Sequence, residues 1–233
     1  MYTNQTITIT LGDQAENHVG MQKIGKIANE GFNYDDLVAI KKYYKEIGIK
    51  STIYDLGWAA SDIHFISNAH LLLIPNCIDQ LYEEGRTDDM FRELVELPWD
   101  KKALMYGRVV NKNARYNLCF GDRSQLPNYI NGKGRIVAYG SVPLLSQLVT
   151  DLSIVHPKCN GLVAEGNYYH DVSDCGIGYH GDSERKKVIG IRLGETIPLD
   201  YQWFLNSKPV GQAMRFELNH GRYLYNVRKN CWF

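Results

Sequence analysis

His180 and Asp182 stand two residues apart in the run Gly176-Ile177-Gly178-Tyr179-His180-Gly181-Asp182-Ser183-Glu184. In an extended strand, side chains at this spacing project from one face, so an imidazole and a carboxylate can converge on one point. Together they are two of the three groups of the facial triad that holds non-heme Fe(II) and leaves positions open for a cosubstrate and oxygen. A second histidine from a distant strand is expected to complete the set. A bare His-x-Asp also occurs in solvated turns, and its surroundings decide between the two readings.

A second chemical signal lies upstream. Lys101, Lys102, Arg108, Lys112, Arg115 and Arg123 face the single acid Asp122 within one stretch, interleaved with Tyr106, Tyr116 and Phe120. Such a stretch suits phosphates and stacked bases, and a solvated basic loop is the plain alternative. On a nucleic acid, the target base would come from a single strand or be flipped out of its stack. Tyr106 or Tyr116 would then be the platform and Arg115 would meet a phosphate or base edge. Arg115 and Lys112 could equally hold a small or acidic substrate.

The elements that must position these groups fall into two halves. Thr6-Ile7-Thr8-Ile9-Thr10 alternates with period two and reads as a strand ending at Leu11-Gly12-Asp13. Asn33 caps a helix with Asp35 and Asp36 in its first turn and Leu37, Ile40, Tyr44 and Ile47 on its apolar face, up to Gly48. A second helical stretch covers residues 79–97, with Gly85 as an interruption, and a third lies near residues 144–152. From Gly161 onward, short apolar or alternating runs between Gly, Pro and Asn turns predict strands over 189–193, 201–205, 215–218 and 223–227.

At 233 residues the chain can bury one sizeable core. Lys plus Arg and Asp plus Glu are both 26, so any attraction to a polyanion must be local. The five scattered cysteines, without a Cys-x-x-Cys pair, argue against a disulfide framework and a cysteine zinc site. The first twelve residues lack the basic start and apolar block of a signal peptide, and no run is long enough to span a membrane. A soluble intracellular protein, cytoplasmic or nuclear, with no membrane partner is the expectation.

Asn167-Tyr168-Tyr169-His170-Asp171, followed by Ile177 to Glu184, resembles the AlkB-family pattern of Asn-x-Tyr and then His-x-Asp with an acidic residue just beyond. Residues 189–194, ending Arg192-Leu193-Gly194, look like the strand that follows in that family. Residues 72–99 look like its opening strand and long helix ending in Trp, and 115–122 like its nucleotide-recognition loop. The resemblance covers roughly residues 69–221.

It implies an α+β fold with a double-stranded β-helix (jelly-roll) core in residues 69–233, flanking helices, and an N-terminal extension over 1–68 packed on that core. It also implies a dioxygenase that binds Fe(II) and 2-oxoglutarate and hydroxylates a C–H bond, with oxidative demethylation of a modified nucleobase as one outcome. In that reading His180 and Asp182 are catalytic metal ligands, Asn167 and Tyr169 contact the cosubstrate, and Glu184 touches substrate beside Arg115, Tyr106 and Tyr116. The family pattern then continues with an Asp after the Gly, a distal histidine and an arginine clamp. Here Arg222 follows Gly221 and no histidine lies beyond His220, so His220 is the candidate third ligand and Arg228 the candidate clamp. The alternatives are a small-molecule or amino-acid hydroxylase on the same scaffold and a catalytically impaired homologue.

Overall fold

In the computed structural model, which describes residues 4–59 and 69–227, strands and helices form a mixed α+β architecture dominated by one large sheet. The strands are β1 (Thr6–Gly12), β2 (Gln14–Glu16), β3 (Lys23–Gly25), β4 (Thr52–Asp55), β5 (His70–Ile74), β6 (Lys102–Met105), β7 (Arg108–Asn111), β8 (Tyr116–Gly121), β9 (Ile136–Ala138), β10 (Val163–Tyr169), β11 (Val188–Gly194), β12 (Ile197–Leu205), β13 (Lys208–Leu218) and β14 (Tyr223–Val227). The helices are α1 (Tyr34–Glu46), α2 (Cys77–Leu81), α3 (Arg86–Val95) and α4 (Pro143–Val155).

Eight strands hydrogen-bond in the order β4-β5-β14-β11-β1-β10-β8-β9, antiparallel except for the short β8–β9 pair. The Thr-Ile strand expected in an N-terminal extension therefore lies inside the sheet. It pairs with β10 on one side over Thr6–Gly12 and with β11 on the other over Thr6–Leu11.

The period-two pattern of β1 explains the layering. Ile7, Ile9 and Leu11 enter a core shared with Leu37, Ile40 and Tyr44 of α1, Met90, Phe91 and Leu94 of α3, and Leu145, Leu148 and Leu152 of α4. On the opposite face, the β12–β13 hairpin lays Tyr201, Trp203, Met214 and Leu218 over Leu71, Leu73 and Leu224. The result is helices, sheet and hairpin in three layers, with the hairpin over the β5–β14 side.

Local chemistry sets the helix ends. Asn33 accepts from the Asp36 backbone N–H, and the Asp36 carboxylate accepts from that of Asn33, a reciprocal capping box. The stretch expected over 79–97 is split into α2 and α3: Tyr82 closes α2, and Gly85, at a left-handed φ of 87°, caps the start of α3. Trp99 then packs against the sheet where β10 has Gly166; a Cβ there would sit 2.7 Å from its Cη2.

Among the described residues no helix is long and apolar enough to cross a membrane.

Candidate functional site on the polar face of the sheet

The hairpin leaves the β11-β1-β10-β8 part of its sheet face to a different kind of residue. Because Ile7 and Ile9 point to the helices, Thr6, Thr8 and Thr10 point away from them. The register sets Thr10 beside Glu165 and Gly190, Thr8 beside Asn167 and Arg192, and Thr6 beside Tyr169 and Gly194. Asn167 in turn faces Asn117 of β8. One row across three strands thus carries Arg192, Thr8 and Asn167, all from positions that would be apolar in a sheet with two greasy faces.

These polar groups are buried, so each needs a partner. Asn167 Oδ1 accepts from Arg115 Nε at 2.8 Å and from Asn117 Nδ2 at 2.5 Å, while its Nδ2 donates to Glu165 Oε1 at 3.2 Å. Lys112 Nζ donates to Asn117 Oδ1 and Asn17 Oδ1, both at 3.0 Å, and Asn17 Nδ2 donates to Asp100 Oδ2 at 3.0 Å. Burial pulls the Lys112 ammonium down to about 8, Arg115 adding to that and Asp100 opposing it. Lys112 is therefore a buried tie between loops, and the basic stretch expected to meet phosphates loses it as a surface cation. Lys101, Lys102 and Arg108 do remain exposed.

His180 and Asp182 lie beside this network, in the irregular segment between β10 and β11 rather than in the extended strand expected for them. The loop still brings the two side chains together, with His180 Nε2 3.6 Å from Asp182 Oδ1. Nδ1 of the same ring lies 2.8 Å from the Gly178 carbonyl oxygen. A carbonyl only accepts, so Nδ1 is the protonated nitrogen, and in the neutral ring Nε2 presents its lone pair to the carboxylate. Arg185 Nε is 3.9 Å from the other Asp182 oxygen, and its Nη2 donates at 2.7 Å to both Glu165 and Glu184. Burial acts to lower the Arg185 pKa, but Glu165, Asp182 and Glu184 together raise it above the usual arginine value.

Glu184, expected to face substrate, therefore spends its Oε1 on Arg185 through Nε at 3.0 Å and Nη2 at 2.7 Å. Burial pushes its carboxyl up, and the Arg185 charge with backbone donation brings it below its ordinary value.

His220, the candidate third ligand, is not brought to the pair. Its Nδ1 accepts from the Gly194 N–H at 2.8 Å, and its Nε2 lies 3.3 Å from Asp88 of α3. Gly194 is level with Thr6, whereas Glu165, which anchors Arg185, is level with Thr10. Four strand residues, roughly 13 Å, separate those levels. The cause is local: the tight turn after β13 ties His220 to the end of β11 and to α3. Among the described residues no group of three or more His, Cys, Asp or Glu could hold a metal. Arg228, the expected clamp, lies outside the described residues.

The aromatic candidates part company as well. Tyr106 forms the turn of the β6–β7 hairpin with Gly107, both at positive φ, and is 95% exposed. Tyr116 belongs to the helical face: its ring stacks on His170 at 4.4 Å and edges Tyr168, lining a cleft of about 480 Å³ with Trp99, Lys101 and Arg135. Arg115, its chain neighbour, reaches Asn167 on the opposite face. Strand alternation makes that separation unavoidable.

Sequence reasoning passed over Arg192, Thr8, Arg185, Glu165 and Asn117. For Arg192 a signal was present: one arginine interrupts the otherwise apolar Val188-Ile189-Gly190-Ile191-Arg192-Leu193. A charge inside a strand that reads as buried on both faces needs a reason.

A chain with this geometry has a viral relative. Uncharacterized protein R156 of Acanthamoeba polyphaga mimivirus is 49% identical over 219 residues, which cover 93% of the present chain and 85% of the relative. The chain belongs to the same family as R156. No protein-family model matches it. At that identity over nearly the whole chain, the R156 family shares the sheet described above as well as the sequence.

Proposed function

We propose that the chain is a 2-oxoglutarate- and Fe(II)-dependent dioxygenase on an AlkB-like double-stranded β-helix, with His180 and Asp182 as metal ligands. The observation that carries this reading is the convergence of an imidazole nitrogen and a carboxylate oxygen, His180 Nε2 and Asp182 Oδ1, 3.6 Å apart. A divalent cation is a partner that both atoms can ligate. The Gly178 carbonyl fixes the ring and its tautomer, as an outer partner of a ligating histidine does.

The donor chemistry fits Fe(II), one nitrogen and one carboxylate oxygen, with the third protein donor to come from outside the groups gathered here. Bound iron with 2-oxoglutarate and oxygen would supply hydroxylation of a substrate C–H bond. The chain's own residues do the rest. Arg185 holds the loop that carries Asp182 against Glu165, Asn167 and Tyr169 present the cosubstrate face, and the hairpin excludes water from the sheet beside it.

For the substrate, a modified nucleobase is favoured over a free amino acid by one feature. The exposed Tyr106 crowns a hairpin whose neighbours Lys101, Lys102 and Arg108 are also exposed, an aromatic tip among cations.

The test is conversion of 2-oxoglutarate to succinate by the full chain with Fe(II), together with Mn(II) binding. Both are expected in the wild type and both are lost in His180→Ala and Asp182→Ala. Turnover that is the same in all three proteins refutes the metal pair, and absence of metal binding in the wild type refutes the oxygenase.

A further inference from the structure

Arg192 is 6% exposed, and its Nε and Nη1 have no hydrogen-bond partner among the described residues. The ionisable neighbour that acts on it among the described residues is Tyr169, whose ring lies 5.8 Å from the guanidinium carbon. Every other buried cation of this face is spoken for: Arg185 by Glu165 and Glu184, Lys112 by Asn17 and Asn117. Beside Arg192 across the ladder, Thr8 Oγ1 is buried and also unpartnered. A guanidinium cannot shed its proton to escape burial, so the geometry calls for an anion delivered from outside.

We propose that Arg192 and Thr8 receive a carboxylate of a small dicarboxylate, 2-oxoglutarate on the reading given above, on which this inference rests. The guanidinium fork matches a carboxylate with two parallel N–H donors, and the threonine hydroxyl adds a third. Strand β10 supplies Asn167 in the same row and Tyr169 in the next, on the same face. Arg192 is level with Thr8 on one side of β1, and the Glu165 that anchors Arg185 beside Asp182 is level with Thr10 on the other, roughly 7 Å along the strand and two strand spacings across it. The arginine that grips the far carboxylate thus comes from β11, the strand next to the metal loop, and needs no residue beyond β14.

The experiment is titration calorimetry and thermal melting of the metal-free full chain with 2-oxoglutarate, succinate and inorganic phosphate, repeated on Arg192→Met, Arg192→Lys and Thr8→Val. The expected result is saturable dicarboxylate binding that raises Tm, weakened at least about tenfold in Arg192→Met and less in Arg192→Lys and Thr8→Val. Arg192→Met without ligand is expected to melt no lower than the wild type, since it removes an uncompensated buried charge; a purely structural arginine would lower Tm. Should Arg192→Met not fold, Arg192→Lys and Thr8→Val carry the comparison. Equal dicarboxylate affinity in wild type and these variants overturns the inference, as does tighter Arg192-dependent binding of phosphate than of either diacid. Succinate formation with Arg192-independent binding sinks this proposal and leaves the oxygenase standing. Arg192-dependent binding without metal or turnover does the reverse.

Discussion

Arg185 donates from Nη2 to Glu165 Oε2 at 2.7 Å, and both side chains are almost wholly buried. The pair bolts the loop that follows the His180–Asp182 motif onto the middle of the sheet. Removing Arg185 strands Glu165 as a buried carboxylate without its cation, whereas Arg185 without Glu165 still keeps Glu184. Arg185→Ala is therefore expected to cost about 3 to 5 kcal/mol and Glu165→Ala less, whereas the double replacement of Glu165 and Arg185 by leucine costs less than the two single changes combined. Urea unfolding of the three variants checks it.

Gly166 leaves room for Trp99 and for nothing else. Gly166→Ala would place a methyl 2.7 Å from Cη2 of that ring. The strand cannot yield on either side, because β10 is bonded to both β1 and β8. The expected cost is about 1 to 3 kcal/mol, with a shift in Trp99 fluorescence and in the adjoining cleft. Denaturant melts read by fluorescence and by far-UV circular dichroism measure the two effects.

His220 holds α3 to the end of β11. Burial lowers its pKa, and Asp88 and Asp79 only partly oppose that. The unfolded chain, with an ordinary value near 6.5, takes up the proton first, so this residue's contribution to stability is present above that pH and is lost as pH falls below it. His220→Asn should flatten the fall in Tm between about pH 6.5 and 5. It should also leave Mn(II) affinity unchanged if the metal site is the one proposed above.

Lys112 shows the opposite dependence. Its folded value of about 8 lies below the ordinary 10.5, so between those values the unfolded chain holds a proton the folded chain has released. Stability from this residue therefore rises with pH across that window. The difference in unfolding free energy between wild type and Lys112→Met is expected to move toward the wild type from pH 8 to 10, by up to about 1.4 kcal/mol per pH unit. Chemical denaturation at matched ionic strength reads it out.

Tyr106 carries no packing. Tyr106→Ser at the tip of the basic hairpin should leave Tm within about 0.5 kcal/mol equivalent of the wild type. It should weaken binding of a single-stranded oligonucleotide by the loss of one stacked base, about 1 to 3 kcal/mol. Fluorescence anisotropy at two salt concentrations separates this from charge, and unchanged affinity would turn the substrate reading toward small molecules.

Much of the fold was legible because local rules and burial agree in it. The alternation of Thr6 to Thr10, the Asn33 capping box and the left-handed Gly85 each announce one conformation, and each is found. Where the sequence misled, the missing information was long-range. Nothing in residues 1–68 says that β1 belongs between β10 and β11, since pairing partners are chosen across the whole chain. His180 and Asp182 are adjacent by loop geometry rather than by strand alternation. Arg115, just before β8, reaches Asn167, whereas Tyr116, its first residue, stacks on His170 against the other face. His220 fits a ligand role by residue type alone, and its bonds to Gly194 and Asp88 are invisible without the turn that makes them.

The place of β1 also sets an order in time. The strand leaves the ribosome before its partners, for Gly12 pairs with Val163 and Leu11 with Ile189, so its neighbours are synthesised on the order of 10 s later. Through that interval a β-branched segment with two unpaired edges waits without a sheet. The central seam of the molecule closes late, which makes this fold slow by topology and leaves β1 as the segment a chaperone would have to shield.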